Sequence, residues 1–451
     1  MKKSLFLTLA ASLVGASPLM AVDLYITGAT AFRANCHDAC KSLFDNAPVL
    51  GSTLFYGSTA QFGNGANNNG NPQWVMTGTV SNKISALGQT TLTIHGFFTG
   101  SIQGIQTVEN TVPLPFLDAS GNLTTNTPTI GFSDASSAST PYPATGNFSE
   151  EKCCVQPFVM CKSVVGGGMT NITGITWEQL RYAIPVGRIP LSAWSNKTND
   201  HGTYVYLLER TKDSGTRRTQ HAWELYGFNQ SSTVYIWDAT NNFFYLPTNS
   251  VPLVTAAQGS TSIATNVQVV GTGGPGVNGA NLNWGFGYIG GGDIKTVLGI
   301  NNSNNMSFAN LSFADAKGIV GATNWSQVIP LNGVWPTAAG AGLHGNTGTN
   351  DFSPITEGMY PCWGYEVIVY PNVDPSSISG DQNLTAAQLG NQTVSGTILG
   401  VFNAQTLING GSPLVGSIEK TIEDSKAAGA SAIRLSDMVS SRASVGGTIT
   451  P

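Results

Sequence analysis

The stretch from Tyr204 to Phe228 reads YVYLLERTKDSGTRRTQHAWELYGF. It opens with an apolar run of β-forming residues, which predicts a strand that ends near Leu208. A Ser-Gly-Thr turn from Ser214 to Thr216 follows. Because serine is a preferred cap for the first turn of a helix, a helix is predicted from this turn onward. Strands that lead into helices through short turns build α/β proteins. The stretch therefore predicts an α/β fold.

The same alternation recurs along the chain. Strands are predicted within residues 23–28, 90–101, 155–166 and 359–371, and helices within 31–44, 176–184, 417–428 and 432–442. A hairpin is predicted before Ser133, and the Asn/Thr/Gly-rich residues 229–285 have the pattern of an inserted β-rich segment. Strands that alternate with helices imply a mostly parallel sheet.

The composition describes a large, acidic chain of low charge. It has 451 residues, 41% hydrophobic and 10% charged, and a formal net charge of −5. This length exceeds what one hydrophobic core usually fills, so two domains or lobes are expected. Because nucleic-acid affinity depends on clustered lysine and arginine, an acidic chain is a poor nucleic-acid binder.

The N-terminus has the pattern of a signal peptide. MKKSLFLTLAASLVGASPLMA has Lys2 and Lys3, an apolar run and small residues up to Ala21, after which cleavage is expected. The rest of the chain has no apolar run long enough to span a membrane. We therefore expect residues 1–21 to be removed and the mature protein to be periplasmic or extracellular, with no membrane span.

The cysteines and histidines form no catalytic or metal-binding pattern. An even number of cysteines in an exported chain makes disulfides plausible, but their pairing stays open. The CHDAC segment from Cys36 to Cys40 has no second Cys/His pair at structural-zinc spacing, so a structural role is favoured over a metal site. No nucleophile elbow, zinc-protease motif or Walker loop occurs. The sequence predicts neither an enzyme nor a cofactor or metal. The six cysteines are Cys36, Cys40, Cys153, Cys154, Cys161 and Cys362.

Three turns share one chemical character, because each follows an apolar strand and carries hydroxyl groups. They are residues 27–30 (TGAT), 100–101 (GS) and 214–216 (SGT). In an open α/β sheet the carboxyl ends of the strands face the ligand crevice. Helix N-termini there present N–H groups and a partial positive charge. Arg210 adds a guanidinium, so the predicted ligand is a tetrahedral oxyanion.

Asp134 follows another apolar run and places a carboxylate among these groups. A carboxylate repels an anion unless the anion carries a proton that it can donate. Hydrogen phosphate carries such a proton, whereas sulfate leaves two acceptors facing each other unpaired, and this arrangement is unfavourable. Asp134 therefore predicts selection of phosphate over sulfate.

With these motifs the chain resembles the exported phosphate-binding proteins of bacterial phosphate ABC transporters. The Arg-x-x-x-Ser-Gly-Thr spacing of residues 210–216 is the strongest match; TGAT, FFTGSIQGI and GFSDAS are similar to the other loops of that family. The resemblance implies the two-lobed type 2 periplasmic binding-protein fold, with mostly parallel sheets, an antiparallel crossover strand and a ligand cleft between lobes. It implies phosphate capture by hinge closure, with an ABC permease as partner. The implied ligand-binding residues are Thr30, Ser101, Asp134, Arg210, Ser214, Gly215 and Thr216.

The implied lobes are residues 22–155 plus 361–451 for the first and 156–360 for the second, with the insertion near 229–285. Thr27 competes with Thr30 in the first loop, and Arg217 and Arg218 are predicted to be solvated or paired with acids. Lys212 stands where the family has an acid that orients the arginine. Two alternatives therefore stay open: a surface or structural protein that reuses the fold without transport, and a binder of another oxyanion.

Overall fold

The structure is a computed structural model of the chain. It describes residues 21–42, 44–45, 53–54, 73–79, 91–118, 120–142, 148–163, 172–210, 214–224, 227, 230, 232–238, 243–246, 284–290, 326–336, 352–371, 407–408, 412–413, 432–444 and 449–450. Residues 1–20 of the predicted signal peptide (1–21), most of the predicted insertion at 229–285, Lys212 and the predicted helix at 417–428 lie outside the described residues.

Strands and helices alternate through the first part of the chain. They are β1 (Ala21–Gly28), α1 (Arg33–Ser42), β2 (Thr53–Leu54), β3 (Gln73–Thr79), β4 (Thr91–Phe97), α2 (Ser101–Glu109), β5 (Leu114–Leu117), β6 (Leu123–Asn126) and β7 (Ile130–Ser133). The long strand β8 (Phe148–Ser163) follows. β5 and β6 form the hairpin predicted between Ser101 and Asp134.

The remaining described elements follow β8. They are α3 (Trp177–Val186), β9 (Arg188–Pro190), α4 (Ser192–Ser195), β10 (Tyr204–Leu208), α5 (Gly215–Trp223), β11 (Ile236–Asp238), β12 (Phe243–Tyr245), β13 (Trp284–Gly290), β14 (Ser326–Ile329), α6 (Ser353–Thr356), β15 (Trp363–Pro371) and four two-residue strands, β16 to β19 (Leu407–Ile408, Ser412–Pro413, Ser441–Arg442 and Ile449–Thr450). α3 begins with a capping box between Thr176 and Gln179, and ends at Gly187 in the left-handed conformation.

The central sheet has the strand order β2-β3-β4-β1-β7-β15-β8-β13-β10-β9, with β14 also paired to β8. β1 runs parallel to β4 and β7, and β10 runs parallel to β13. β15 and β8 are antiparallel to each other and to their outer neighbours β7 and β13. The α/β class, with parallel strands in each half and antiparallel crossover strands between them, is confirmed. Antiparallel strands β2, β3 and β9 extend the two edges.

Two hydrophobic clusters lie on the two sides of the crossover strands. In β8 the cluster membership changes between Cys154 and Val155, and in β15 it changes between Trp363 and Ile368. We call β1 to β7 with α1 and α2 the first half, and β9, β10, β13 and β14 with α3 to α5 the second half. β8 and β15 contribute to both clusters, so both halves share these two strands.

The helix predicted for residues 432–442 is wrong. Leu435–Asp437 form a single 3₁₀ turn, and Ser441–Arg442 form a short strand. Ile433 instead exchanges two backbone hydrogen bonds with Val155, each of 2.8 Å. Pairing with a buried strand satisfies both of its backbone groups, and this outweighs the local helical preference.

All six cysteines are buried thiols without a disulfide. Cys36 and Cys40 lie one helical turn apart in α1, with their Sγ atoms 4.0 Å from each other. The plausible disulfides are therefore absent from this structure. Among the helices of the described ranges, none is both long and apolar enough to cross a membrane.

Candidate functional site

The turn that the opening stretch predicts is built as expected around α5. Ser214 has an extended backbone, and its Oγ accepts the Arg217 N–H over 3.2 Å, which caps the first turn of the helix. Gly215 and Thr216 are the first two helical residues, and both are buried. The N–H groups at this end of α5 face the first half of the fold, because Gly215 packs against Ser101 and Asp134.

The first half brings three loops to the same edge of its sheet. β1, β4 and β7 are parallel neighbours, so the loops after them lie side by side. Gly28 ends β1 with a φ of 133°, and a Cβ there would overlap the main chain of Phe132. Ala29 N–H donates to Phe132 O over 2.8 Å, and Gly100 N–H donates to Gly28 O over 2.9 Å. These bonds hold Ser101, at the start of α2, beside Asp134.

Asp134 is the point at which the two halves meet. Its side chain is buried, and Ser101 Oγ donates to its Oδ1. From the second half, Thr216 Oγ1 donates to Oδ2 over 2.7 Å, and Thr219 Oγ1 donates to the Asp134 carbonyl over 2.9 Å. A Cβ on Gly215 would overlap Oδ1 and lie 2.7 Å from Ser101 Oγ. The N-termini of α2 and α5 therefore converge on one carboxylate.

Four of the predicted residues thus gather in direct contact, namely Ser101, Asp134, Gly215 and Thr216. Thr30 is half-buried in the turn before α1; its carbonyl accepts from Arg33, and within the described residues its hydroxyl makes no bond to Asp134. Its competitor Thr27 is buried in the sheet and donates its hydroxyl to Phe97 O over 2.7 Å.

Arg210 is buried just after β10 and is held through its neighbour Glu209. The Arg210 N–H donates to Glu209 Oε1 over 2.8 Å, and the Tyr288 hydroxyl donates to the same oxygen. His221 Nε2, on α5, lies 3.1 Å from Glu209 Oε2. Glu209 therefore joins the end of β10 to β13 and to α5.

The Glu209 carboxylate is strongly favoured in its charged form. Burial by itself would raise its pKa, but the hydrogen bond and charge of His221, the charge of Arg217 and the Tyr288 hydroxyl outweigh burial and lower the pKa to about 2. Burial and the Glu209 charge raise the pKa of Tyr288 well above its ordinary value. An ionised Glu209 and a neutral Tyr288 hydroxyl follow at neutral pH.

The sequence predicts Arg217 and Arg218 to be solvated or paired with acids; in the structure both donate hydrogen bonds to protein oxygens. Arg217 Nη1 donates to Arg210 O over 3.2 Å, and its Nη2 donates to Ser232 Oγ over 2.6 Å. Arg218 Nη1 donates to Ser139 O over 3.0 Å, so it reaches from α5 to the turn that follows Asp134. Arg217 fixes the chain next to Arg210, and Arg218 adds a second bond between the halves.

Sequence reasoning missed Glu209, His221, Tyr288, Thr219 and Glu366. Glu209 had a visible signal, since a carboxylate at the end of an apolar strand must find a partner when it is buried. No sequence signal marked Glu366, because its burial follows from the position of β15 in the middle of the sheet. Within the described part of the chain, both carboxyl oxygens of Glu366 lack a hydrogen-bond partner. Burial, together with the charge of Asp134, raises its pKa well above the ordinary value.

Comparisons with known proteins give similarity at the level of structure. No family model matches the chain, and no curated protein matches it in sequence. A solved phosphate-binding protein from Stenotrophomonas maltophilia is 13% identical, with 92% of this chain and 90% of that chain covered at a TM-score of 0.39. An ABC-type phosphate transport receptor from Vibrio cholerae is 12% identical, with 78% and 90% covered at a TM-score of 0.34. The chain is similar, over most of its length, to solved phosphate-binding and phosphate-transport proteins.

Proposed function

We propose that this chain is an exported phosphate-binding protein that captures inorganic phosphate between two lobes. The lobes are residues 22–155 plus 361–451 and residues 156–360, and a permease of an ABC importer would receive the phosphate. The observation that carries the proposal is the gathering of Ser101 and Thr216, from opposite halves, on the single carboxylate of Asp134. The Arg-Ser-Gly-Thr motif of residues 210–216 supports it.

The site has the chemistry that a protonated tetrahedral anion requires. Ser101 and Gly215 are the first residues of α2 and α5, and the N–H groups and dipoles of two helix N-termini favour an anion between them. Asp134 supplies the one strong acceptor. A hydrogen phosphate bound here would accept hydrogen bonds from the hydroxyls of Ser101 and Thr216. Its own P–OH group would donate a hydrogen bond to Asp134.

This exchange conserves hydrogen bonds, and it explains the expected selectivity. Each hydroxyl that leaves the Asp134 carboxylate finds a phosphate oxygen, and the carboxylate keeps a donor in the P–OH group. Sulfate at neutral pH has no proton to offer, so Asp134 would be left facing an acceptor. We propose binding and release of phosphate by opening and closing of the lobes, without catalysis.

A structural role that uses the same fold without transport is the second candidate. The direct bonds from Thr216 to Asp134 and from Arg218 to Ser139 favour it, because they join the two halves through protein groups alone. Such a protein would show no phosphate-dependent change in stability or shape.

Calorimetry on the mature protein tests the proposal. Phosphate is expected to bind with micromolar or tighter affinity, and sulfate at least about tenfold more weakly. Arg210→Ala should cost about 2–5 kcal/mol of binding free energy, since it leaves a buried anion without its cation. The exposed Arg181 on α3 offers a matched control, and Arg181→Ala should bind phosphate as the parent does. Absence of phosphate binding, or normal binding by Arg210→Ala, would refute phosphate capture at this site.

A further inference from the structure

A cavity of about 340 Å³ lies beside the Asp134 turn, with Asp134 itself among its lining residues. Its walls come from the turn after β7, from Glu150 and Lys152 of β8, from β15, from Thr219 of α5 and from residues 442–444. This volume falls in the range of small-molecule sites. The Asp134 carboxylate is already engaged by Ser101 and Thr216, so it is directed to the other site.

Arg442 is a buried cation in the wall of this cavity. Its side chain is 3% exposed, and its Nη2 donates to Pro361 O. Its Nε and Nη1 are buried and have no hydrogen-bond acceptor in the part of the chain that the structure describes. Burial lowers the pKa of Arg442 to about 10, so the guanidinium stays charged at neutral pH. A charged donor in this state requires an acceptor.

The wall carries two cations, Arg442 and Lys152, and two aromatic rings, together with the acids Asp134 and Glu150. The Arg442 guanidinium lies 4.4 Å from the centroid of the Trp363 ring, and Lys152 Nζ lies 3.7 Å from the centroid of Tyr365. The carboxylate of Glu150, also in the wall, accepts the Ser137 N–H over 2.7 Å. Two cations and two aromatic rings therefore line a space in which both acids already accept hydrogen bonds from protein donors, whereas Arg442 keeps two donor atoms without an acceptor in the described residues.

From this arrangement we propose that the cavity is a second ligand site, which binds a small organic anion. A carboxylate or phosphate group on the ligand would accept hydrogen bonds from Arg442 Nε and Nη1, with Lys152 as a second cation. The apolar body of the ligand would lie against the Trp363 and Tyr365 rings. This site adjoins the proposed phosphate cleft at Asp134 and Thr219, but its ligand would be held by Arg442 and Lys152, so the proposal stands without phosphate capture.

Benzoate, phenyl phosphate and benzamide are the probes that test the site. All three carry one phenyl ring, and only benzamide is neutral. Thermal unfolding and calorimetry on the mature protein are run with one equivalent of inorganic phosphate, which fills the proposed phosphate cleft without an excess that would compete for the second site. Benzoate and phenyl phosphate are expected to raise the unfolding temperature and to bind, and benzamide is expected to do neither. Failure of both anions, or equal binding of benzamide, would overturn the proposal.

Arg442→Met assigns the binding to the buried guanidinium. It should weaken benzoate binding at least tenfold. The control is Arg434→Met, because Arg434 is paired with Asp437 over 2.5 Å and does not line the cavity; it should leave benzoate binding unchanged. Without ligand, Arg442→Met should unfold at or above the parent temperature, because it removes a buried charge that has no carboxylate partner and two unsatisfied donors in the described residues. A purely structural arginine would give the opposite shift. Lys152 is exposed, so Lys152→Gln tests the site even if Arg442→Met does not fold. It should weaken benzoate binding several-fold. Parental benzoate affinity in either variant would contradict the proposal.

Discussion

Thr216 Oγ1 donates a 2.7 Å hydrogen bond to Oδ2 of Asp134, and this bond joins α5 of the second half to the end of β7 in the first. Ser101 Oγ donates to the other oxygen of the same carboxylate. One buried acid thus connects the first turns of two helices that belong to different halves. If the two halves move apart, this hydrogen bond has to break. The hydrogen bonding of Asp134 therefore depends on the relative position of the two halves.

Asp134→Asn should change anion selectivity. An amide can donate to sulfate, which the carboxylate cannot, so the preference for phosphate over sulfate should fall at least about tenfold. Parallel titrations with both anions measure it. Asp118→Asn, in the β5–β6 hairpin, is the matched control and should keep the parental ratio. An unchanged ratio in Asp134→Asn would show that Asp134 does not discriminate between the anions.

Gly215→Ala should weaken phosphate binding by at least about tenfold while the fold is kept. The added Cβ would overlap Asp134 Oδ1, so α5 could not approach the first half as closely. Gly202→Ala is the control, because a Cβ at Gly202 meets no atom within 4 Å. Titration with phosphate and thermal unfolding check both variants. Equal phosphate affinity in the two would argue against closure around Gly215.

Glu209→Gln should destabilise the protein by about 3–5 kcal/mol, because it removes a buried ionised acid from its partners His221 and Tyr288. The folded pKa of about 2 lies below the ordinary 4.5, so this stabilisation is present above pH 4.5 and is lost as the pH falls through about 2. Urea unfolding at several pH values measures it. The exposed Glu178 provides Glu178→Gln as control, with an expected change within about 0.5 kcal/mol.

Glu366→Gln should have the opposite pH signature. The folded pKa of Glu366 is raised, so its contribution is most favourable below the ordinary value of 4.5 and declines as the pH rises toward the folded pKa. The stability of Glu366→Gln relative to the parent should therefore increase between about pH 4 and pH 8. The unfolding temperatures of Glu366→Gln and of the parent, measured across that pH range, test this prediction. If the difference between them stays constant or falls as the pH rises, Glu366 is not a neutral, buried acid.

Local signals predicted several elements correctly. The apolar run before Glu209 forms β10, and the Ser-Gly-Thr turn begins α5 with Ser214 as its cap. These features depend on side-chain periodicity and capping within a few residues, so they can be read from the chain directly. The same local reasoning fails at residues 432–442, where the pairing of Ile433 with Val155 replaces the expected helix.

The sequence alone was sufficient for the α/β class, because strand–turn–helix units are local features. It also supplied the hydroxyl-bearing turns from which an oxyanion site is predicted. Only the tertiary structure brought Ser101 and Thr216 into hydrogen-bonding contact with Asp134. It also made Glu209 the partner of His221 and Tyr288, and it buried Arg442 beside a cavity. The physical reason is that burial and long-range pairing depend on how β8 and β15 cross between the two halves. Residues far apart along the chain become neighbours there, and their charges and hydrogen bonds follow from that contact.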